Sequence, residues 1–177
     1  MKELTAVQAA LSAEHATVYG YGVVGGRVAE GRRKEAREAY DAHRARRDAL
    51  QHVVRDLGAT PKPAAAAYTL PFAVPDGSAA ERLAAELEDR LAGVYADLVR
   101  ASSGARRREA AGALREAAVR SVRWRGTGVP FPGLTELRDV AQAPAPDPSD
   151  TPSGPADTAG EGRDSKAAGR PGAAGGA

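Results

Sequence analysis

Four ionisable side chains stand where an amphipathic helix of this chain would otherwise carry Leu or Ala: Glu14, His43, Glu88 and Glu116. Glu14 lies three residues after Leu11 and four before Val18, and Glu88 adjoins Leu87 and Leu91. His43 sits within the run Ala36, Tyr40, His43, Arg47, Leu50, Val54, Leu57, which advances in steps of three and four residues. Glu116 borders a seam beside Ala113 and Ala117. Carboxylates and an imidazole brought together inside a protein can hold a metal ion, or can neutralise one another and a nearby cation such as Arg47. The expected central polar cluster is therefore Glu14, Tyr40, His43, Arg47, Glu88 and Glu116. If any metal is held, its ligands are Glu14, His43, Glu88 and Glu116.

The elements that must position these groups read as helices. Apolar and small residues recur at helical spacing from about Leu4 to Arg27, and Gly31 separates this helix from a second one ending near Leu57. Gly58 followed by Pro61 gives the usual order of helix stop signals. Residues 58–77 carry four prolines and no helical period, a long connection for a compact domain. Ser78 and Glu81 then read as a capping box for a third helix bearing Leu83, Leu87, Leu91, Val94, Tyr95 and Leu98. The Ser102-Ser103-Gly104 turn leads to a fourth helix over about 105–124, with Leu114, Ala117, Ser121 and Val122 expected to face inward. Two antiparallel hairpins joined by one long crossover follow. Glu14 to His43 spans 29 positions and Glu88 to Glu116 spans 28, so each hairpin brings its two groups to similar depth. Glu14 with Tyr21 and Glu88 with Tyr95 repeat one seven-residue offset, a weak internal two-fold.

Composition limits the chemistry. No cysteine is present, so thiolate ligands, thiol nucleophiles and disulfides are excluded, and redox chemistry would need a cofactor. The formal net charge of +2 does not imply nucleic acid, and no apolar run approaches a membrane span. A cytoplasmic protein that binds neither nucleic acid nor membrane is expected. One domain is expected over 1–138, followed by a disordered Ala/Pro/Gly-rich tail over 139–177 that lacks the apolar surface to offset its ordering entropy.

Two hairpins, one crossover and a polar group per helix at mid-bundle resemble the ferritin-like superfamily over about residues 3–124. The strings AEHATVYGYGVVG, AYDAHRARRDAL, YTLPFAV and LEDRLAGVYADL are similar to an actinobacterial family of ferritin-like domains of unknown function. The resemblance implies an all-α four-helix bundle. In catalytic superfamily members a Glu from each of two helices joins a Glu-x-x-His from each of the other two, holding a pair of iron or manganese ions. Glu14 and Glu88 match the single glutamates. Tyr40 stands three before His43 where Glu is needed, and Val119 stands three after Glu116 where His is needed. With two of six ligands missing, the expectation is a non-catalytic domain without a cofactor, whose buried Glu/His/Arg network replaces a di-iron site and which acts through a homodimer or another protein partner. The alternative is an iron- or manganese-dependent oxidoreductase, or a metal-binding protein, with a reduced ligand set.

Several features read more simply as packing. Gly20 to Gly25 spells GxGxxG inside a helical pattern, without the strand a dinucleotide site requires. Its glycines point to close helix approach or a groove for Tyr40 or a partner subunit. His15 is expected at the surface or just outside the cluster. The arginines of the fourth helix read as a solvated face, and Tyr68 to Phe72 as the crossover packing on the bundle.

Overall fold

The computed structural model of the chain describes residues 2–126, and the expected tail over 139–177 and the domain end at 138 lie outside them. Among the described residues the elements are α1 (Glu3–Arg27), a short 3-10 turn (Glu30–Arg32), α2 (Arg33–Asp56), α3 (Gly77–Ala101) and α4 (Gly104–Arg125). This is the expected all-α four-helix bundle.

The helix ends follow local chemistry. Glu3 in the first turn of α1 and Arg27 in its last complement the helix dipole. Beyond α2, Gly58 takes a left-handed φ of 74°, and the amides of Gly58 and Ala59 close back on the carbonyls of Arg55 and Val54. The start of α3 differs from the Ser78/Glu81 capping box. Asp76 is the cap, its carboxylate accepting from the Ala79 amide at 2.8 Å. Ser78 Oγ instead accepts from Arg82, and Glu81 pairs with Arg32.

The crossover runs the length of α1. Gln8 donates to the Thr60 carbonyl at 2.7 Å and accepts from the Lys62 amide at 3.0 Å, Tyr68 packs on Tyr19 at 5.5 Å between ring centroids, and Arg27 donates to the Pro75 carbonyl. From Gln8 to Arg27 is about 28 Å at 1.5 Å per residue, so α3 begins beside the end of α1. Helices α1 and α3 are therefore antiparallel. Each helix packs on its neighbour in the order α2, α1, α3, α4.

The core has three layers. One apolar layer gathers Val7, Leu11, Leu50, Val54, Leu91 and Leu98, and the other gathers Tyr21, Val24, Ala36, Leu83 and Trp124. Each fully buried Leu or Val contributes about 1.5–3 kcal/mol relative to exposure. Between these layers lies the polar one, Glu14, His43 and Glu88, all 0% exposed.

The glycines of α1 divide by role. A Cβ on Gly20 would stand 2.5 Å from Leu87 Cδ1, which marks the close approach of α1 and α3. Around Gly22, Gly25 and Gly26 a Cβ would meet nothing within 4 Å. Val122, expected inside, is 37% exposed, and the buried face of α4 is Ala110, Ala113, Ala117, Ser121 and Trp124.

Candidate functional site: a buried tyrosine, glutamate and histidine network

His43 reaches the centre of the bundle from α2 and lies between two carboxylates. Its Nδ1 is 2.9 Å from Glu14 Oε2 on α1, and its Nε2 is 3.0 Å from Glu88 Oε1 on α3. Tyr95 on α3 donates to Glu14 Oε1 and Tyr21 on α1 donates to Glu88 Oε1, each at 2.6 Å. Trp124 Nε1 on α4 donates to the Tyr21 hydroxyl at 2.9 Å, and the Tyr21 ring stacks on His43 with centroids 5.1 Å apart. The seven-residue offset becomes a reciprocal exchange: along antiparallel helices, each glutamate meets the tyrosine of the other helix.

Electrostatics favour the protonated form of each group that carries a hydrogen here. Burial pushes the His43 imidazole down, but the hydrogen bonds to Glu14 and Glu88 outweigh it and the net shift is upward from 6.5. Both ring nitrogens face carboxylate acceptors, and only the imidazolium offers two donors. Burial, then the neighbouring Glu88 charge, raises Tyr21 well above its ordinary value. Burial and the Glu14 charge do the same for Tyr95, so both phenols stay protonated donors.

Three of the expected cluster residues converge and three lie elsewhere. Tyr40 flanks a shallow groove with Tyr21, Gly22 and Gly25, and the Arg44 guanidinium stands 5.7 Å from its ring centroid. Arg47 is 22% exposed and binds Asp48 at 2.7 Å. The buried face of α2 runs through Ala36, Ala39, His43, Leu50 and Val54, taking Ala39 in place of Tyr40 and passing from His43 to Leu50 without Arg47, which turns both to the rim. Glu116 is 45% exposed and binds Arg46 at 2.9 Å, which holds its carboxyl below the ordinary value. The counterpart of His43 at the same 29-residue spacing is Ala117, fully buried; Glu116, one residue earlier, is turned about 100° round the helix.

His15 is also not at the surface. It is buried on the α1 face nearest Lys62 of the crossover, its Nε2 has no hydrogen-bond partner, and burial lowers its pKa. Sequence reasoning missed Asp89, which accepts from Ser121 Oγ at 2.7 Å and pairs with Arg125. It also left Tyr21, Tyr95 and Trp124 out of the cluster, although the repeated Glu-to-Tyr offset was the signal for two of them.

The residues at the centre do not fit iron or manganese. A shared ion would draw its ligands to about 2.0–2.2 Å. Here the imidazole itself fills the space between the carboxylates, and both of its nitrogens are engaged with carboxylate oxygens. Glu116, the fourth expected ligand, is held at the rim by arginine. Among the described residues, no group of three or more His, Cys, Asp or Glu side chains is arranged to hold a metal ion. No helix among them is long and apolar enough to cross a membrane.

Residues 6–136 match the family described as a domain of unknown function, DUF4439. The chain is also similar to the crystal structure of a conserved hypothetical protein, rv2844, from Mycobacterium tuberculosis. The two share 36% sequence identity with a TM-score of 0.68, over 70% of this chain and 95% of that one. A search of curated proteins gives no match.

Proposed function

The chain belongs to the family described as a domain of unknown function, DUF4439, and on that footing we propose that it is a non-catalytic, ferritin-like domain. In this reading the polar layer takes the place of a di-iron centre. The superfamily assignment is supported by the two antiparallel hairpins and by the crossover running the length of α1 between Gln8 and Arg27. The observation that carries the non-catalytic reading is His43 bonded through both nitrogens to Glu14 and Glu88.

The layer then acts structurally. Buried ionic groups seldom add net stability over apolar packing, but they fix one arrangement of the helices against others. The domain works through contacts with other chains, a second copy of itself or another protein. Exposed Val119 and Val122 on α4 support such contacts.

The test is to express the protein with added iron and manganese, purify it without chelators, and measure both metals with the absorption spectrum. Substoichiometric metal and a featureless visible spectrum are expected. One or two ions per chain with a ligand-field or oxo-bridge band would sink the reading. Sedimentation over a concentration series checks self-association.

A further inference from the structure

In the ring of four helices, α2 and α4 are neighbours that do not close. No Cα of α2 lies within 8 Å of a Cα of α4. Between them runs a groove of about 620 Å³, a size typical of small-molecule sites. Its walls are largely aliphatic: Ala45, Ala49 and Val53 on α2, Leu98 on α3, Ala110 and Ala113 on α4. Alanines on facing helices usually let the backbones approach, but here they leave an apolar channel.

The channel also carries Arg46, Arg106, Glu109 and Glu116; Arg106 is paired with Glu3, and it is around Arg46 that hydrogen bonding is incomplete. Arg46 lines the groove with Tyr95 and Glu116, its guanidinium 5.9 Å from the Tyr95 ring centroid. Arg46 Nη2 donates to Glu116 Oε2 at 2.9 Å, while the same oxygen lies 3.5 Å from Arg120 Nη2. One carboxylate thus serves two guanidiniums. Arg46 Nη1 and Arg120 Nη1 are both buried without a hydrogen-bond partner. Glu14 engages one oxygen with Tyr95 and the other with His43. Of the two arginines it is Arg46 that lines the groove, and its unpartnered buried donor calls for an acceptor, most strongly a negatively charged one.

We propose that the α2–α4 groove binds a single-chain aliphatic carboxylate, its head on Arg46 and its tail lying along Ala49, Val53, Leu98 and Ala110. From Arg46 to Val53 the groove extends about 10 Å, and from Glu116 to Arg106 about 15 Å, lengths suited to a medium-length chain. The inference places no ligand on His43, Glu14 or Glu88, although Tyr95, which lines the groove, donates to Glu14.

The experiment is calorimetric titration of the full chain with sodium decanoate below its micellar concentration. Sodium acetate serves as head-only probe and decyltrimethylammonium as a cation with the same tail. One decanoate per chain is expected, with neither control binding. Arg46→Gln should weaken decanoate at least about tenfold, the scale of one lost charge-assisted hydrogen bond, and Arg46→Lys should restore part of it. Ala49→Trp, which fills the channel, should abolish binding. If that variant does not fold, as judged by circular dichroism, the Gln and Lys pair at 46 decides. Absence of decanoate binding, equal binding of the cation, or affinity unchanged in Arg46→Gln would overturn the proposal. So would a dimer that Ala49→Trp dissociates, since that would assign the groove to a second copy of the chain.

Discussion

Replacing His43 with Leu keeps roughly the volume of the side chain and removes the only cation of the polar layer. Glu14 and Glu88, both fully buried, are then left facing a hydrocarbon, each holding only its tyrosine. Breaking a buried ion pair by deleting one partner costs about 3–5 kcal/mol, a large part of the roughly 5–15 kcal/mol that holds a domain folded. At about 4 °C per kcal/mol for a bundle of this size, Tm should fall by roughly 12–20 °C. The pH dependence follows from the sign of the His43 shift. Because its folded pKa is raised above the unfolded value, the stability it contributes is fully present below about pH 6.5 and is lost as pH rises through the folded pKa. The gap between wild type and His43→Leu should therefore be widest in mildly acid buffer and narrow above about pH 6.5, by at most about 1.4 kcal/mol per pH unit. Urea unfolding followed by far-ultraviolet circular dichroism at several pH values measures both effects. A gap below about 1 kcal/mol at about pH 6, or one that grows with pH, would refute the reasoning.

The two tyrosines should differ when each is changed to Phe. Tyr95→Phe removes one bond to a carboxylate, whereas Tyr21→Phe also strands the buried Trp124 Nε1, so it should cost about 1 kcal/mol more in the same urea assay. Gly22→Ala has open space around the new Cβ and should raise stability by up to about 1 kcal/mol; Gly20→Ala drives a methyl against Leu87 and should be clearly the less stable of the two in thermal melts. Asp76→Ala removes the α3 cap and should cost about 1 kcal/mol, while Ser78→Ala should cost less, which comparative denaturation resolves.

Helix count, the two hairpins and the crossover were legible because the apolar period is long and the breaks at Gly58 and Gly104 are strong; the first break falls at Val28 and Ala29, with Gly31 inside the 3-10 turn that follows. The site was legible only in part, and the limit is rotational. Sequence spacing places a residue along a helix well, but a choice between three-residue and four-residue steps swings a side chain about 100° round it. Glu14 and Glu88 tolerate that ambiguity because mostly apolar residues lie three and four positions away on both sides, and His43 because it is the shared point of both stripes, with Ala36 before it and Leu50 after it. Tyr40, Arg47 and Glu116 do not, and all three turned to the rim, where Arg44, Asp48 and Arg46 meet them. The capping box failed for a related reason. Asp76 and Ser78 are both good caps by residue type, and the extended backbone of Asp76, with φ of −143°, decides between them. The α2–α4 groove was hidden because alanine reads alike whether it permits contact or leaves a gap.

The exchange of partners between α1 and α3 also governs how errors are punished. Sliding one hairpin past the other by a single helical turn, about 5.4 Å, would pull both phenols off both acids in one movement and leave the imidazolium holding only Glu14, the neighbour in its own hairpin. Leucine layers alone would accept such a slip with little complaint. Alignment along the bundle axis is thus decided by an all-or-none fit at mid-height, which works as a notch rather than a slope.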